Sequence, residues 1–187
     1  MKRAIQCVAV ALTLVLGPAG AVPALAAVGT AARADCGHSV PEQLTPRWQQ
    51  HRATFGCPTG DASVYGNGMY QWFENGAIAW SPSQGNNMVV SAYRTLGSIV
   101  HFDWGSSDPF HYVDWLVNIR RDGQDINGDQ ECGGAVGTLQ MCPEQSGSVF
   151  WTGLRPGQYR IGVEGCDLNA GSHECRQSWT LPVYISL

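Results

Sequence analysis

Residues 55–82 read FGCPTGDASVYGNGMYQWFENGAIAWSP, and this stretch decides how the first half of the chain folds. Aromatic and apolar residues flank the dipeptide Asn75-Gly76, and that combination is the strongest short-range signal for a β-hairpin. We therefore predict strands over 69–73 and 77–80, joined by Asn75-Gly76 as a two-residue loop.

The predicted register gives this hairpin two apolar faces, because Phe73 would lie opposite Ile78 and Trp72 opposite Ala79. So small a unit can hardly bury both faces by itself. One face therefore packs against the rest of the chain or meets a ligand. We expect Phe73, Ile78 and Trp80 to form core, and we assign Tyr70 and Trp72, with the neighbouring Gln71, to an exposed binding face.

The same stretch resembles one unit of the LGFP repeat, a module of secreted actinobacterial proteins usually associated with the cell wall. Three segments of residues 55–93 carry the resemblance: Gly56-Cys57-Pro58-Thr59, Gly66-Asn67-Gly68 and, above all, YQWFENGAIAWSP at 70–82. The family usually has an apolar residue at the position of Cys57, and it usually occurs as tandem repeats, of which one clear copy stands here. The resemblance implies an extracellular binding or anchoring module.

The first 34 residues predict a secretory signal peptide. A short positive start, Met1-Lys2-Arg3, precedes an uncharged apolar run over 4–16. Small residues then form two candidate cleavage sites, of which cleavage after Ala34 is favoured and Ala26 is the alternative. We expect an extracellular, secreted protein that does not insert in the membrane after cleavage, with cell-wall association left open.

The net charge of the mature chain limits the classes of partner that it can bind. Cleavage at Ala34 would leave eight basic residues against fifteen acidic ones, and no lysine. Nucleic-acid binding needs a basic surface, and electrostatic attachment to anionic lipids needs one too. The charge therefore argues against nucleic acid and against anionic membranes as partners. The LGFP resemblance implies cell-wall glycan or an extracellular protein as the partner, and we expect a monomer without a cofactor.

Six cysteines follow the signal peptide, and an even number in an exported chain predicts disulfides. Six cysteines allow fifteen connectivities. Sequential pairing is favoured because each pair then brackets a turn-rich segment. A zinc site is the competing interpretation, but it calls for Cys-x-x-Cys pairs or histidine partners at fixed spacing. The predicted pairs are Cys36–Cys57, Cys132–Cys142 and Cys166–Cys175.

Residues 96–187 show the period-two alternation of half-buried strands, in four segments that begin near Val100, Trp115, Tyr159 and Trp179. Several such strands predict a β-sandwich. The block resembles a fibronectin type III domain, with Trp104 at the place of that family's early core tryptophan. The segment 153–159 resembles the turn that leads to its tyrosine corner. The predicted fold class is mainly β, with an LGFP-like module at 35–95 and this sandwich at 96–187.

Other candidate sites each have a structural alternative. The acidic segment 122–131 places Asp125, Asn127 and Asp129 like the first ligands of a calcium loop. The sixth position holds Gln130 in place of the required glycine, so a solvated loop is the alternative. Indoles also stack on sugar rings, although core packing is the commoner fate of tryptophan. The candidate tryptophans for sugar binding are Trp72, Trp80, Trp115 and Trp151.

Catalysis has weak support in the sequence. His101 and Asp103 would share a strand face, and Asp103 with Glu164 would be the candidate carboxylate pair of a glycosidase. No Gly-x-Ser-x-Gly nucleophile motif is present. We therefore expect a non-enzymatic binding or anchoring protein. A secreted polysaccharide hydrolase or its accessory, and a structural or inhibitory protein-interaction module, are the alternatives.

Three intramolecular disulfides should leave no free thiol in the exported protein. Thiol titration of the denatured, unreduced mature chain should therefore find no reactive cysteine. Two or more reactive thiols would contradict the pairing scheme.

Overall fold

Two antiparallel sheets make up most of the fold in the computed structural model, which describes residues 36–96, 99–112, 114–131, 146–169, 172–175 and 178–187. The strands are β1 (Ser63–Tyr65), β2 (Gly68–Phe73), β3 (Gly76–Trp80), β4 (Val89–Thr95), β5 (Ile99–Gly105), β6 (Asp114–Arg121), β7 (Gln124–Glu131), β8 (Ser146–Trp151), β9 (Gln158–Asn169), β10 (Ser172–Cys175) and β11 (Val183–Ser186). Sheet A has the strand order β1-β2-β3-β4-β5-β8, and sheet B has the order β10-β9-β6-β7, with β11 also paired to β9. The predicted mainly β class is confirmed, while the predicted signal peptide lies outside the described residues.

The aromatic hairpin is present as β2 and β3, but its register differs from the predicted one by two residues. Phe73 pairs with Gly76, so the turn residues are Glu74 and Asn75. The predicted Asn75-Gly76 loop was wrong because Gly76 is needed inside the strand. A Cβ atom on Gly76 would lie 2.2 Å from the carbonyl oxygen of Ala92 on β4. A two-residue shift keeps every side chain on its predicted face, because strands alternate with period two.

Both faces of the hairpin are covered. Tyr70, Ala77 and Ala79 belong to the core between the two sheets. On the opposite face, Phe73 and Ile78 are buried in a second cluster with Leu44 and Phe55. Each face of the hairpin is thus buried by residues from the rest of the chain. Trp80, expected in the core, is half-buried and packs against the edge of the second cluster.

Two short helices cover the outer face of sheet A, α1 (Thr45–Gln50) and α2 (Arg52–Phe55). Leu44 occupies the N-cap position. The Thr45 hydroxyl donates to the carbonyl oxygens of Val40 and Pro41, at 3.1 and 2.9 Å.

Sheet A continues without interruption past residue 95, the boundary expected between the two modules. β4 pairs with β5 along its whole length, from Val89 opposite Gly105 to Thr95 opposite Ile99. β5 then pairs with β8. Residues 35–187 form one compact unit, in which β5 and β8 extend the sheet that the hairpin begins.

The core between the sheets contains the residues whose alternation predicted strands. Val100, Phe102 and Trp104 face inward from β5, and Trp115, Val117 and Ile119 face inward from β6. The predicted last strand over 179–185 is present over Val183–Ser186 alone. The Tyr159 hydroxyl donates to the carbonyl oxygen of Arg155 at 2.7 Å, which is the hydrogen bond of a tyrosine corner.

The acidic segment is a strand over most of its length. β7 begins at Gln124 and pairs with β6, so its backbone is extended rather than wrapped as a calcium loop requires. The Asp125 carboxylate accepts a hydrogen bond from the Asn118 side-chain amide at 2.8 Å. The expectation of a loop was therefore wrong for this segment, except at the turn Asp122-Gly123.

Two of the three predicted disulfides are present. Cys36–Cys57 ties the segment before α1 to the segment before β1. Cys166–Cys175 joins residues that lie directly opposite each other on β9 and β10. The predicted Cys132–Cys142 pair lies outside the described residues.

The close approach of Gly76 to β4 makes a prediction about stability. Gly76→Ala should lower the free energy of unfolding by about 1–3 kcal/mol, because the added methyl group overlaps backbone atoms that cannot move independently. Chemical denaturation measures the change. Gly60→Ala is the control, since a Cβ there meets nothing within 4 Å. Equal stability of the two variants would show that β3 and β4 are not packed this closely.

Candidate functional site

An aromatic groove lies where β2 meets the C-terminal segment. Trp72 is 44 % exposed, yet its ring centroid lies 5.2 Å from that of Tyr70 and 6.2 Å from that of Tyr184. These contacts hold the indole in place without covering it. The groove has a volume of about 220 Å³, and its lining residues are Tyr65, Tyr70, Trp72, Leu181, Pro182 and Tyr184.

The structure brings two of the three residues assigned to the binding face into this groove. Trp72 presents its ring to solvent. Tyr70 is 7 % exposed and forms a wall of the groove, and burial raises the pKa of its hydroxyl above the ordinary value. Gln71 lies on the opposite face of the strand and is buried. Its side-chain amide donates to the carbonyl oxygens of Ser39 and Gly60, both at 2.9 Å, and so fastens the N-terminal segment to β2.

The other candidate tryptophans have different surroundings. Trp115 and Trp151 are buried in the core between the sheets, 0 % and 3 % exposed, and offer no face to a ligand. Trp80 is half-buried, and its indole N–H donates to the carbonyl oxygen of Asn86 at 2.8 Å. That hydrogen bond fixes the ring at the side of a second and larger cavity.

This second cavity, the polar cleft, lies between α1 and the outer face of sheet A and has a volume of about 1140 Å³. Asp103 on β5 lies within it and is 7 % exposed. One Asp103 carboxylate oxygen, Oδ1, accepts a short hydrogen bond from the Ser148 hydroxyl. The other, Oδ2, lies 3.7 Å from Arg47 Nη1 and 3.8 Å from His51 Nε2.

Burial controls the charges in the polar cleft. Burial lowers the pKa of Arg47 and of His51, and the Asp103 carboxylate partly opposes both shifts by attracting the charged forms. Burial also raises the pKa of Tyr93, whose ring stacks between His51 and His101 at centroid distances of 4.9 and 5.0 Å. The result is a carboxylate and a guanidinium held together beside a histidine that resists protonation.

The carboxylate pair considered for a glycosidase is not assembled in this cleft. Asp103 belongs to sheet A, whereas Glu164 belongs to sheet B, where its carboxylate accepts a hydrogen bond from the Ser178 N–H at 2.7 Å. His101 does share a face with Asp103, as expected, but its Nε2 lies 3.3 Å from the Thr95 hydroxyl.

Sequence reasoning missed the contribution of α1 to the cleft. Arg47 and His51 are four residues apart, the spacing that puts two side chains on one side of a helix. That spacing was the available signal. It gave no sign that Asp103, more than fifty residues away, would lie opposite them, because strand pairing decides this.

Residues 55–97 match the family model of the LGFP repeat, which confirms the resemblance seen in the aromatic hairpin. The match takes in β1 to β4, including Tyr70 and Trp72, and covers about a quarter of the chain. LGFP repeats occur in extracellular and cell-wall proteins. No curated protein and no solved structure matches the chain, so the fibronectin type III resemblance stays a prediction.

His51, the half-buried histidine of the cleft, makes a prediction about pH. Because the folded-state pKa of His51 is lowered, the unfolded chain binds more protons below about pH 6.5, and stability should fall as the pH falls through that range. His51→Gln should reduce the loss of melting temperature between pH 7.5 and pH 5. The control is His111→Gln, which removes an exposed histidine outside the cleft. An unchanged pH dependence in the His51 variant would contradict the prediction.

Proposed function

We propose that this chain is a secreted, non-enzymatic binding protein that attaches to cell-wall glycan through the aromatic groove. The observation that carries the proposal is the Trp72 indole, which is 44 % exposed although two tyrosine rings hold it. A fixed, exposed aromatic ring offers a large apolar surface at little cost in side-chain entropy. The LGFP match supports the extracellular, wall-associated setting.

The two disulfides support export, because such bonds persist in oxidising compartments. Among the described residues, no helix is long and apolar enough to cross a membrane. The groove is small, about the size of one sugar ring, so it suits the end or a single unit of a glycan chain. Its lining side chains are apolar apart from the tyrosine hydroxyls and the Trp72 indole N–H, and ligand pockets are commonly lined in this way.

An exported protein is the second candidate partner, and a specific feature favours it. β1 is the edge strand of sheet A, and Val64 and Tyr65 on it are 74 % and 57 % exposed. An unpaired strand edge with exposed apolar side chains can pair with another chain. The groove and the β1 edge are neighbours, because Tyr65 lines one and belongs to the other.

Trp72→Ala tests the groove. The variant should keep its melting temperature nearly unchanged, yet bind purified cell wall about tenfold more weakly or worse, because aromatic anchors dominate binding energies. Sedimentation with cell-wall fragments at several protein concentrations measures the affinity. The proposal fails if Trp72→Ala binds the wall as the unaltered protein does.

Val64→Ala is the matched control, since it removes an exposed apolar side chain of the same sheet edge without touching the groove lining. It should leave wall binding unchanged. If Val64→Ala weakens attachment and Trp72→Ala does not, the binding surface is the β1 edge rather than the groove. The second candidate partner, an exported protein, is then favoured over glycan.

A further inference from the structure

The polar cleft is lined by helix, sheet and loop. The segment through α1 forms one side, and β4, β5 and β8 of sheet A form the floor. The loop that carries Asn86 and Asn87 closes one end beside Trp80. The cleft lies on the outer face of sheet A, whereas Tyr70 and Trp72 belong to the inner face, so the sheet separates it from the aromatic groove.

The charges of the cleft disfavour an anionic ligand. Among the described residues that line it, Arg47 is the one permanent cation, and the Asp103 carboxylate lies 3.7 Å from it. Glu42 adds a further negative charge at the rim. His51 stays neutral near pH 7 because burial lowers its pKa. A phosphate or carboxylate ligand would therefore meet a negative cleft whose cation already has a partner.

The uncharged groups of the lining suit a ligand rich in hydroxyl groups. Side-chain amides and serine hydroxyls each both donate and accept hydrogen bonds, as sugar hydroxyls do. The Trp80 ring adds an apolar surface of fixed orientation. Those polar lining residues are Gln43, Gln50, Asn86, Asn87, Ser106, Ser146 and Ser148, and most of them are exposed.

Asp103 anchors Arg47 and His51 at the floor of the cleft. Its Oδ2 is buried and lies 3.7 Å from Arg47 Nη1 and 3.8 Å from His51 Nε2. The Ser148 hydroxyl already holds Oδ1, so the carboxylate is oriented before a ligand arrives.

We propose that the polar cleft is a second saccharide site, which takes an uncharged oligosaccharide and is independent of the aromatic groove. Its volume of about 1140 Å³ suits several sugar units, against one for the groove. Two sites on opposite faces of one sheet would let a single copy of the protein engage two glycan segments, with a gain in avidity.

Calorimetric titration of the mature protein with soluble neutral oligosaccharides (arabinan, galactan and glucan fragments) tests the cleft, with a uronic-acid oligosaccharide as the charged comparison. We expect one or more neutral fragments to bind, and to bind about tenfold more weakly or worse to the double variant Gln50→Ala/Asn87→Ala. The matched control is Gln49→Ala/Asn67→Ala, which removes two exposed amides outside the cleft. Exposed positions of this kind leave stability almost unchanged.

The same titration on Trp72→Ala separates the two sites. Cleft binding should persist in that variant. The cleft proposal can therefore hold even if the groove does not bind glycan, and the groove proposal can hold even if the cleft binds no saccharide. The proposal is overturned if no neutral fragment binds the unaltered protein, if the cleft and control double variants bind equally, if Trp72→Ala alone abolishes binding, or if the acidic fragment binds best.

Discussion

Sheet A carries apolar side chains on both faces, and the need to bury both at once is the constraint on which the rest of the structure depends. The inner face packs against sheet B, with Trp104 and Trp115 in contact across the core at a centroid distance of 6.0 Å. The outer face packs against the helices through Phe55, whose ring lies 5.4 Å from that of Phe73. A hairpin alone could not cover either face. The LGFP-like segment is therefore buried by residues from the rest of the chain.

Polar contacts between the sheets reinforce this arrangement. Gln84 is fully buried, and its side-chain carbonyl accepts a hydrogen bond from the Gly165 N–H of sheet B at 3.0 Å. The Ser81 hydroxyl accepts a short hydrogen bond from the Leu181 N–H. Ser81 follows β3 directly, and Gln84 lies three residues further along the chain. Because a buried backbone donor without a partner is costly, these two side chains help to hold the end of the hairpin against β9 and the C-terminal segment.

Both candidate sites lie where this coverage ends. Beside Tyr184 the inner cover stops short of Trp72, and the indole stays half open. Beside α1 the outer cover ends at Asp103, and the cleft opens over β5 and β8. One site is aromatic and the other is polar. The difference comes from which strand face meets solvent, since alternate side chains of a strand point to opposite sides.

Much of the fold could be predicted from residue order. Alternation predicted β5, β6 and β9, and the aromatic run around Asn75 predicted a hairpin with the correct faces, because side-chain direction along a strand depends on local sequence alone. The register depended on Gly76, whose strand position follows from the close approach of β4 rather than from turn chemistry.

In the candidate sites, too, some features could be predicted from local sequence and others arise only in the folded chain. Trp72 could be picked out as an exposed aromatic residue beside Tyr70, but its contact with Tyr184 joins residues that are distant along the chain. Gln71 was placed beside them by its neighbours in sequence, and its buried hydrogen bonds to Ser39 and Gly60 arise only in the folded chain. Arg47, Asp103 and Ser148 come together only after the helices and β8 have taken their places around β5. Local sequence thus decided which residues form strands and which way they point, and tertiary packing decided which of them a ligand can reach, because exposure depends on neighbours that are far apart along the chain.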